Sequence, residues 1–290
     1  MFYSEDQLNN ELIREIKNII NDSDGIIVGI GSGMSSSGGL NYLDPNFFKL
    51  NFPQFYKKGF STIYEVMRDN WFLTENNVCK FWGYWANHIN VVIYENPALK
   101  PYLDLKKLLN GKDYFICSTN VDSQLEKAGF KEDIIFAPQG RYDKFQCSLP
   151  CSDKAYDNEK MVKRMISNMD PDSLKIQKED IPICPICANF LTLNLRKDDK
   201  FVEKPHLKNL KKYKDYINEF NDKKLVLLEL GVGYDTPIII RYPFEDIISN
   251  NKNSTLIRVN LNHSYVPDQI KDRSIAIASD IKYFLSKLLD

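Results

Sequence analysis

The stretch Gly29-Ile30-Gly31-Ser32-Gly33-Met34-Ser35-Ser36-Ser37-Gly38-Gly39-Leu40 follows directly on the apolar run Gly25-Ile26-Ile27-Val28. Its twelve residues hold five glycines and four serines, at the end of what reads as the first buried strand. Small residues in that place let backbone N–H groups approach a pyrophosphate, and a following helix N-terminus favours the charge. The loop is not a P-loop, because no Gly-Lys-Ser/Thr closes it. It also departs from the ordinary Rossmann spacing, and no acidic residue ends the second strand to hold an adenosine ribose. By itself it leaves a dinucleotide site and a plain turn both open.

Outward from the loop, short and nearly continuous apolar segments recur: 25–30, 114–117, 134–137, 225–230, 255–260 and 274–278. Strands buried on both faces of a parallel sheet look like this. Helical patterns are expected over about 4–21, 60–75, 77–94, 99–110, 122–128 and 280–289, with Gly111 as a C-cap. Alternating strand and helix predicts an α/β fold, a doubly wound Rossmann-like parallel sheet. Two stretches break the rhythm. Residues 41–95 are helical and aromatic, from Phe47 and Phe48 to Trp71, Trp82 and Trp85, and read as a packed lid core. Residues 140–224 carry paired cysteines and a Lys-rich helix near 205–221, read as a solvated face able to meet an acidic partner. The expected organisation is a nucleotide-binding domain from 1–40, 96–139 and 225–290, a helical insertion at 41–95, and a small zinc-ribbon and helical module at 140–224. Both insertions should stand over the carboxyl ends of the strands, where ligands of such sheets sit.

The 290 residues are 43% hydrophobic and 27% charged, enough apolar material for a sizeable core in a globular chain. A net charge of −1 with both signs interspersed predicts neither a nucleic-acid nor a membrane partner. The polar opening MFYSEDQLNN does not read as a signal peptide, and no apolar run is long enough to span a bilayer. Six cysteines without a secretion signal predict a reduced, cytoplasmic setting. Four of them, Cys147-x-x-x-Cys151 and Cys184-Pro-Ile-Cys187, have the spacing of two zinc-ligand hairpins. Two unrelated pairs of buried or redox cysteines would give the same letters. A four-thiolate site would be structural, with no open position for catalysis. Cys79 and Cys117 read as core.

Taken in order, several segments resemble one family, the sirtuins, NAD-dependent deacylases and ADP-ribosyltransferases. Gly29-Ile30-Gly31, then Met34-Ser35-Ser36-Ser37-Gly38-Gly39, is similar to the family's G-A-G-x-S-x-x-x-G opening, with Ser32 and Gly33 extra. Ser118-Thr119-Asn120-Val121-Asp122, then Ala128-Gly129, is similar to T-Q-N-I-D…A-G. The four cysteines fall where the family's zinc ribbon lies. Glu229-Leu230-Gly231-Val232-Gly233 takes the place of the G-T-S turn, and Val259-Asn260 resembles the strand ending in I-N. The resemblance spans residues 25 to 290.

The departures narrow it. Where the family has a histidine-glycine pair, this chain reads Pro138-Gln139-Gly140, and its three histidines, His88, His206 and His263, lie elsewhere. Leu40-Asn41-Tyr42-Leu43 replaces the I-P-D-F-R stretch. With Gly231-Val232-Gly233-x-x-Thr236-Pro237, and Asn194-Leu195-Arg196 before Phe201-Val202-Glu203, the chain resembles the macrodomain-linked, class M sirtuins. That resemblance implies protein ADP-ribosylation with release of nicotinamide. It further implies a lipoylated carrier related to the glycine-cleavage H protein as acceptor, and a macrodomain hydrolase as functional counterpart.

The implied catalytic residues are Asn120, Asp122 and Gln139. Asn120 would orient the ribose, Asp122 would accept from the nicotinamide carboxamide, and Gln139 would hold ribose hydroxyls. NAD would further contact Gly29, Gly31, Ser32, Gly33, Ser35, Tyr42, Gly231, Val232, Gly233, Asn260, Leu261 and Asp280. Cys147, Cys151, Cys184 and Cys187 would hold zinc. Arg196 and Glu203 are candidates for acceptor contact. Asn120 and Asp122 could equally cap the helix that begins there, and Gln139 could be a turn residue.

Chemistry supports transfer over deacylation. A deacylase of this kind needs a base to take a ribose hydroxyl proton, and histidine titrates in the right range. Glutamine hydrogen-bonds but cannot store a proton, and losing a general base typically costs about a hundredfold to ten-thousandfold. The alternatives are an NAD-dependent lysine deacylase that tolerates Gln139, and a non-catalytic NAD-sensing module. A dehydrogenase is disfavoured, because no acid–base set for hydride transfer is visible.

Overall fold

A computed structural model describes residues 1–290. In chain order the strands are β1 (Phe2–Ser4), β2 (Gly25–Ile30), β3 (Tyr114–Ser118), β4 (Ile135–Phe136), β5 (Gly140–Cys147), β6 (Ala155–Asp157), β7 (Leu191–Leu195), β8 (Leu225–Leu230), β9 (Thr255–Val259) and β10 (Ser274–Ala278). Seven form a parallel sheet in the order β1-β10-β9-β8-β2-β3-β4. Every residue of β2 and β8 is buried, which is why both read as unbroken apolar runs. One face is covered by the helices Asn10–Asn21, Lys100–Leu108 and Ile281–Leu289, through Leu12, Ile16, Tyr102, Leu105, Phe284 and Leu288. The other is covered by Leu210–Glu219 and Arg241–Asn250, through Tyr213, Phe244 and Ile248. The expected doubly wound α/β sheet is present.

Three expectations shift. The first helix begins at Asn10, with the Asn9 side chain accepting from Leu12 N at 2.9 Å. The residues before it include β1, which pairs with β10, and three residues are too few to show a period. The helix expected over 77–94 runs Val78–Ile89 and then widens into a π-helix at Asn90–Glu95. The Lys-rich helix, expected within 140–224 as part of the small module, stacks Tyr213 on Phe136 (centroids 5.4 Å apart) and against Phe115, on the large sheet. Its apolar stripe (Tyr213, with Leu210 and Ile217) decides its place, since exposed lysines carry no packing information.

β5, β6 and β7 form the small antiparallel sheet. Its inner face and the aromatic helices of 41–95 share one core, where Trp82 lies 4.4 Å from Phe145 between centroids and Trp85 is fully buried. The aromatic block is thus packing, as its density suggested. No helix is long and apolar enough to cross a membrane.

Candidate active site

β2 and β8 are neighbours, yet the chain leaves them in opposite directions, from β2 to β3 and β4 on one side and from β8 to β9 and β10 on the other. The crevice above the carboxyl ends of such a pair is where open α/β sheets bind ligands. The glycine loop leaves β2 there, and the Gly231–Gly233 turn leaves β8. The two interlock: Gly31 N donates to Leu230 O at 3.0 Å and Gly33 N to Gly231 O at 3.1 Å. A Cβ on Gly31 would sit 2.5 Å from Gly231 O, and one on Gly33 would sit 2.7 Å from Gly231 Cα. Gly231 itself holds φ +67°, where a side chain is strained. The small residues therefore serve loop-on-loop packing first, and the Gly31 and Gly33 N–H groups face the neighbouring turn. Gly29 meets the helix Arg241–Asn250, where a Cβ would strike Phe244.

In front of this seam lies a cleft of about 590 Å³, within the usual range for small-molecule sites. Ser32, Ser35, Tyr42, Asn120 and Asp122 line it, as do Tyr64, Tyr142 and Asp235, which the sequence did not single out. Its inner wall is one hydrogen-bonded array. Ser35 Oγ donates to Asp122 Oδ2 at 2.5 Å, because a carboxylate accepts only. The Tyr102 hydroxyl, 2.7 Å from Ser35 Oγ, then donates to it. Asn120 Nδ2 donates to the Tyr102 hydroxyl at 2.8 Å and to Gly31 O at 3.0 Å. The polarity is fixed from end to end, and Asn120 Oδ1 has no partner within the protein. Burial raises the pKa of Asp122, while Ser35 and the Gln124 N–H pull it back. Helix capping accounts for part of Asp122, whose Oδ1 accepts from Gln124 N at 3.2 Å, and for none of the Asn120 side chain.

Gln139 stands between β4 and β5, on the same edge of the sheet, and does not line the cleft. The segment is tied to the Asn120–Asp122 loop by Tyr142 N donating to Val121 O at 3.0 Å. Arg196 clamps it from β7: its N donates to Gln139 O at 3.0 Å and its Nε to Pro138 O at 3.2 Å. Arg196 and Glu203 pair with each other at 2.7 Å, and Arg196 lies over Phe201. Gln139 Oε1 is buried with no partner. An orphaned acceptor of this kind fits a ligand hydroxyl.

Of the remaining predicted residues, Val232 and Asn260 meet at the β8 turn. Asn260 Nδ2 and Arg241 Nη2 both donate to Val232 O, at 3.1 and 3.0 Å. Beneath them Glu229 accepts from Arg258 at 2.8 Å, and Arg241 lies 3.4 Å from Glu229, all fully buried. This pinned charge network was invisible in sequence, where Glu229 stood only as part of the turn motif. Gly233 has open space around it, Leu261 is exposed, and Asp280 caps the last helix by accepting from Tyr283 N.

The four predicted cysteines converge, with all Sγ atoms within 4.8 Å of one another. Thiolates 2.3 Å from a tetrahedral zinc stand about 3.8 Å apart. The observed Cys147–Cys187 and Cys151–Cys184 separations of 3.4 and 3.6 Å fit that donor set. Of the histidines, His88 is buried behind the cleft, while His206 bonds Asn194 and stacks on Phe201. None lines the cleft.

Solved sirtuins share this architecture. A Sir2 bound to acetylated peptide matches with a TM-score of 0.56 over 96% of this chain and 97% of its own, at 17% identity. A Sir2–p53 peptide–NAD⁺ complex matches with a TM-score of 0.53 over the same shares, at 18% identity. The chain has the sirtuin fold. In sequence it is 29% identical over 276 residues to a protein ADP-ribosyltransferase of Staphylococcus aureus, covering 94% of this chain and 86% of that one. It is 28% identical over 280 residues to a probable bifunctional ADP-ribose hydrolase/ADP-ribosyltransferase of Fusarium oxysporum f. sp. cubense, and spans 46% of that protein's length. No protein-family profile matches. The chain is a sirtuin-fold homologue of protein ADP-ribosyltransferases, in line with the class M resemblance.

Proposed function

We propose that this protein transfers ADP-ribose from NAD to a protein acceptor and releases nicotinamide. The observation that carries the reading is the cleft wall: Asn120, Ser35 and Asp122 in one directional array, with no histidine lining the cleft and glutamine at 139. Asn120 Oδ1 is free to hold a ribose hydroxyl, and the buried Asp122 to accept from the carboxamide. A carboxylate fixed beforehand in a dry wall also stabilises positive charge developing on the ribose as its bond to nicotinamide breaks. Gln139 stores no proton, and its orphaned Oε1 takes a further ribose hydroxyl once the side chain turns toward the cleft. The names of the curated relatives point the same way.

The acceptor we infer is a lipoylated carrier like the glycine-cleavage H protein, on the class M resemblance, with a macrodomain hydrolase removing the mark. The cysteine cluster holds a structural zinc that orders the small sheet. The test is NAD turnover with labelled adenylate, with and without the lipoylated carrier, beside an acetyl-lysine peptide. Label on the carrier with the peptide untouched supports transfer. Deacetylated peptide and unlabelled carrier would overturn it and make the protein a deacylase.

A further inference from the structure

The groups assigned so far break a bond to ribose, and none of them takes the proton of the acceptor. An O–H, N–H or S–H nucleophile that bonds to the ribose carbon must shed one. In glycosyl transfer through an oxocarbenium-like state, a carboxylate facing the incoming nucleophile takes it.

The titratable side chains lining the cleft are Asp122, Asp235 and the tyrosines Tyr42, Tyr64 and Tyr142. Phenols keep their proton near neutrality, and burial pushes Tyr42 and Tyr142 further that way, Tyr142 to about 12. Asp122 is already engaged: its Oδ2 accepts from Ser35 and its Oδ1 from Gln124 N. Once protonated, it would also lose the negative charge that faces the ribose. Asp235 is the opposite case. It is exposed, it lines the cleft from the β8 turn rather than from the β3 wall, and no protein group hydrogen-bonds or ion-pairs with it.

An unpaired carboxylate on a free loop would be ordinary surface, but this one stands on a segment fixed on both sides. Before it, the buried Arg241 guanidinium lies 4.4 Å from the Tyr234 ring centre. Arg241 also donates to the Tyr234 hydroxyl at 3.2 Å and to Val232 O at 3.0 Å. After it, Ile239 N donates to Thr236 O at 3.2 Å and Tyr242 N to Pro237 O at 3.0 Å, leading into the helix Arg241–Asn250. The carboxylate is therefore held at the rim, where a protein from solution meets the cleft.

We propose that Asp235 is the general base of the transfer and takes the proton of the acceptor nucleophile as that group bonds to the ribose carbon. The bond from ribose to nicotinamide breaks, and its electron pair goes to the nicotinamide ring. The acceptor's lone pair forms the new bond, and its proton passes to an Asp235 oxygen. The proposal rests on reading the cleft as the NAD site of a transferase. Asn120 and Asp122 then serve bond breaking, and Asp235 serves the acceptor.

The test gives the full chain NAD with either methanol or azide. Methanol must lose a proton to become an acceptor, and azide has none to lose. The wild type should form both methyl ADP-riboside and ADP-ribosyl azide. Asp235→Asn should cut transfer to methanol about a hundredfold, the lower end for a general base, while transfer to azide stays within threefold. Asp235 has no hydrogen bond or ion pair to lose, so the melting temperature should not move. Equal loss of both products would make Asp235 a binding or structural residue and overturn the proposal. Transfer to methanol unchanged by the substitution would overturn it too, as would a wild type that uses azide and not methanol. A wild type that transfers to neither probe would instead remove the transferase reading, and the proposal with it.

Discussion

At the scale of single residues, Asn120 and Gln139 are opposite cases. Asn120 is tied into the wall by its amide nitrogen and leaves its oxygen free. Asn120→Ala should cut NAD turnover about a hundredfold or more, the usual cost of losing a preorganised polar group. Nicotinamide release measures it, and turnover within threefold of the wild type would exclude Asn120 from the machinery. Gln139 Oε1 has no protein partner to lose. Gln139→Ala should therefore leave the melting temperature nearly unchanged while weakening NAD about tenfold. A fall in melting temperature with unchanged affinity would mark Gln139 as a turn residue. Asn120, Asp122 and the glycines were legible because they follow strand ends, where letters and place coincide. Tyr102, Tyr142 and His88 were not. Nothing in their local sequence marks them, and only the fold brings Tyr142 into the cleft lining, Tyr102 against Ser35 and Asn120, and His88 behind Tyr42.

At the scale of elements, the glycine loop was found for a reason that the structure amends. A run of glycines after a strand announces close approach, but not what approaches. Here the visitor is the Gly231 turn. Gly231→Ala would add a left-handed strain of roughly 1–2 kcal/mol and place a Cβ 2.6 Å from Gly33 Cα. Both loops must then separate, so stability and NAD affinity should fall together in thermal melts and titrations. A loss of stability alone would mean that the seam does not shape the cleft. The cysteine pairs were legible from spacing, and their convergence fits zinc. Chelation under mild warming should release about one zinc per chain and expose the small sheet to protease, with the large sheet more resistant. The Lys-rich helix misled because charge on its outer face hid the Tyr213 stripe that docks it on β3.

At the scale of the whole molecule, topology was readable because each buried parallel strand is its own apolar signal; β1, short and at the edge, gave none. What sequence could not show is that the two insertions share one aromatic core, with a neutral histidine inside it. That histidine makes stability depend on pH in a definite direction. Its pKa is about 6.5 in the unfolded chain and is lowered by burial to about 3 in the folded one. Below neutrality the unfolded chain therefore binds a proton that the folded chain refuses, and stability falls as pH drops from 6.5 toward 3. His206, lowered to about 4, acts in the same sense. Asp122, Glu126 and Glu229, whose pKa values are raised by burial, act in the opposite sense. The comparison that reads the histidines is about pH 7 against about pH 5.5, above the ordinary carboxylate pKa values. His88 should then remove up to about 1.4 kcal/mol per pH unit below its unfolded pKa. Urea unfolding at the two pH values should show the wild type losing stability on acidification. His206→Gln should lose less, keeping the His88 share. A wild type equally stable at both values would mean that His88 takes up its proton in the folded state, and that the dry aromatic core behind the cleft admits water.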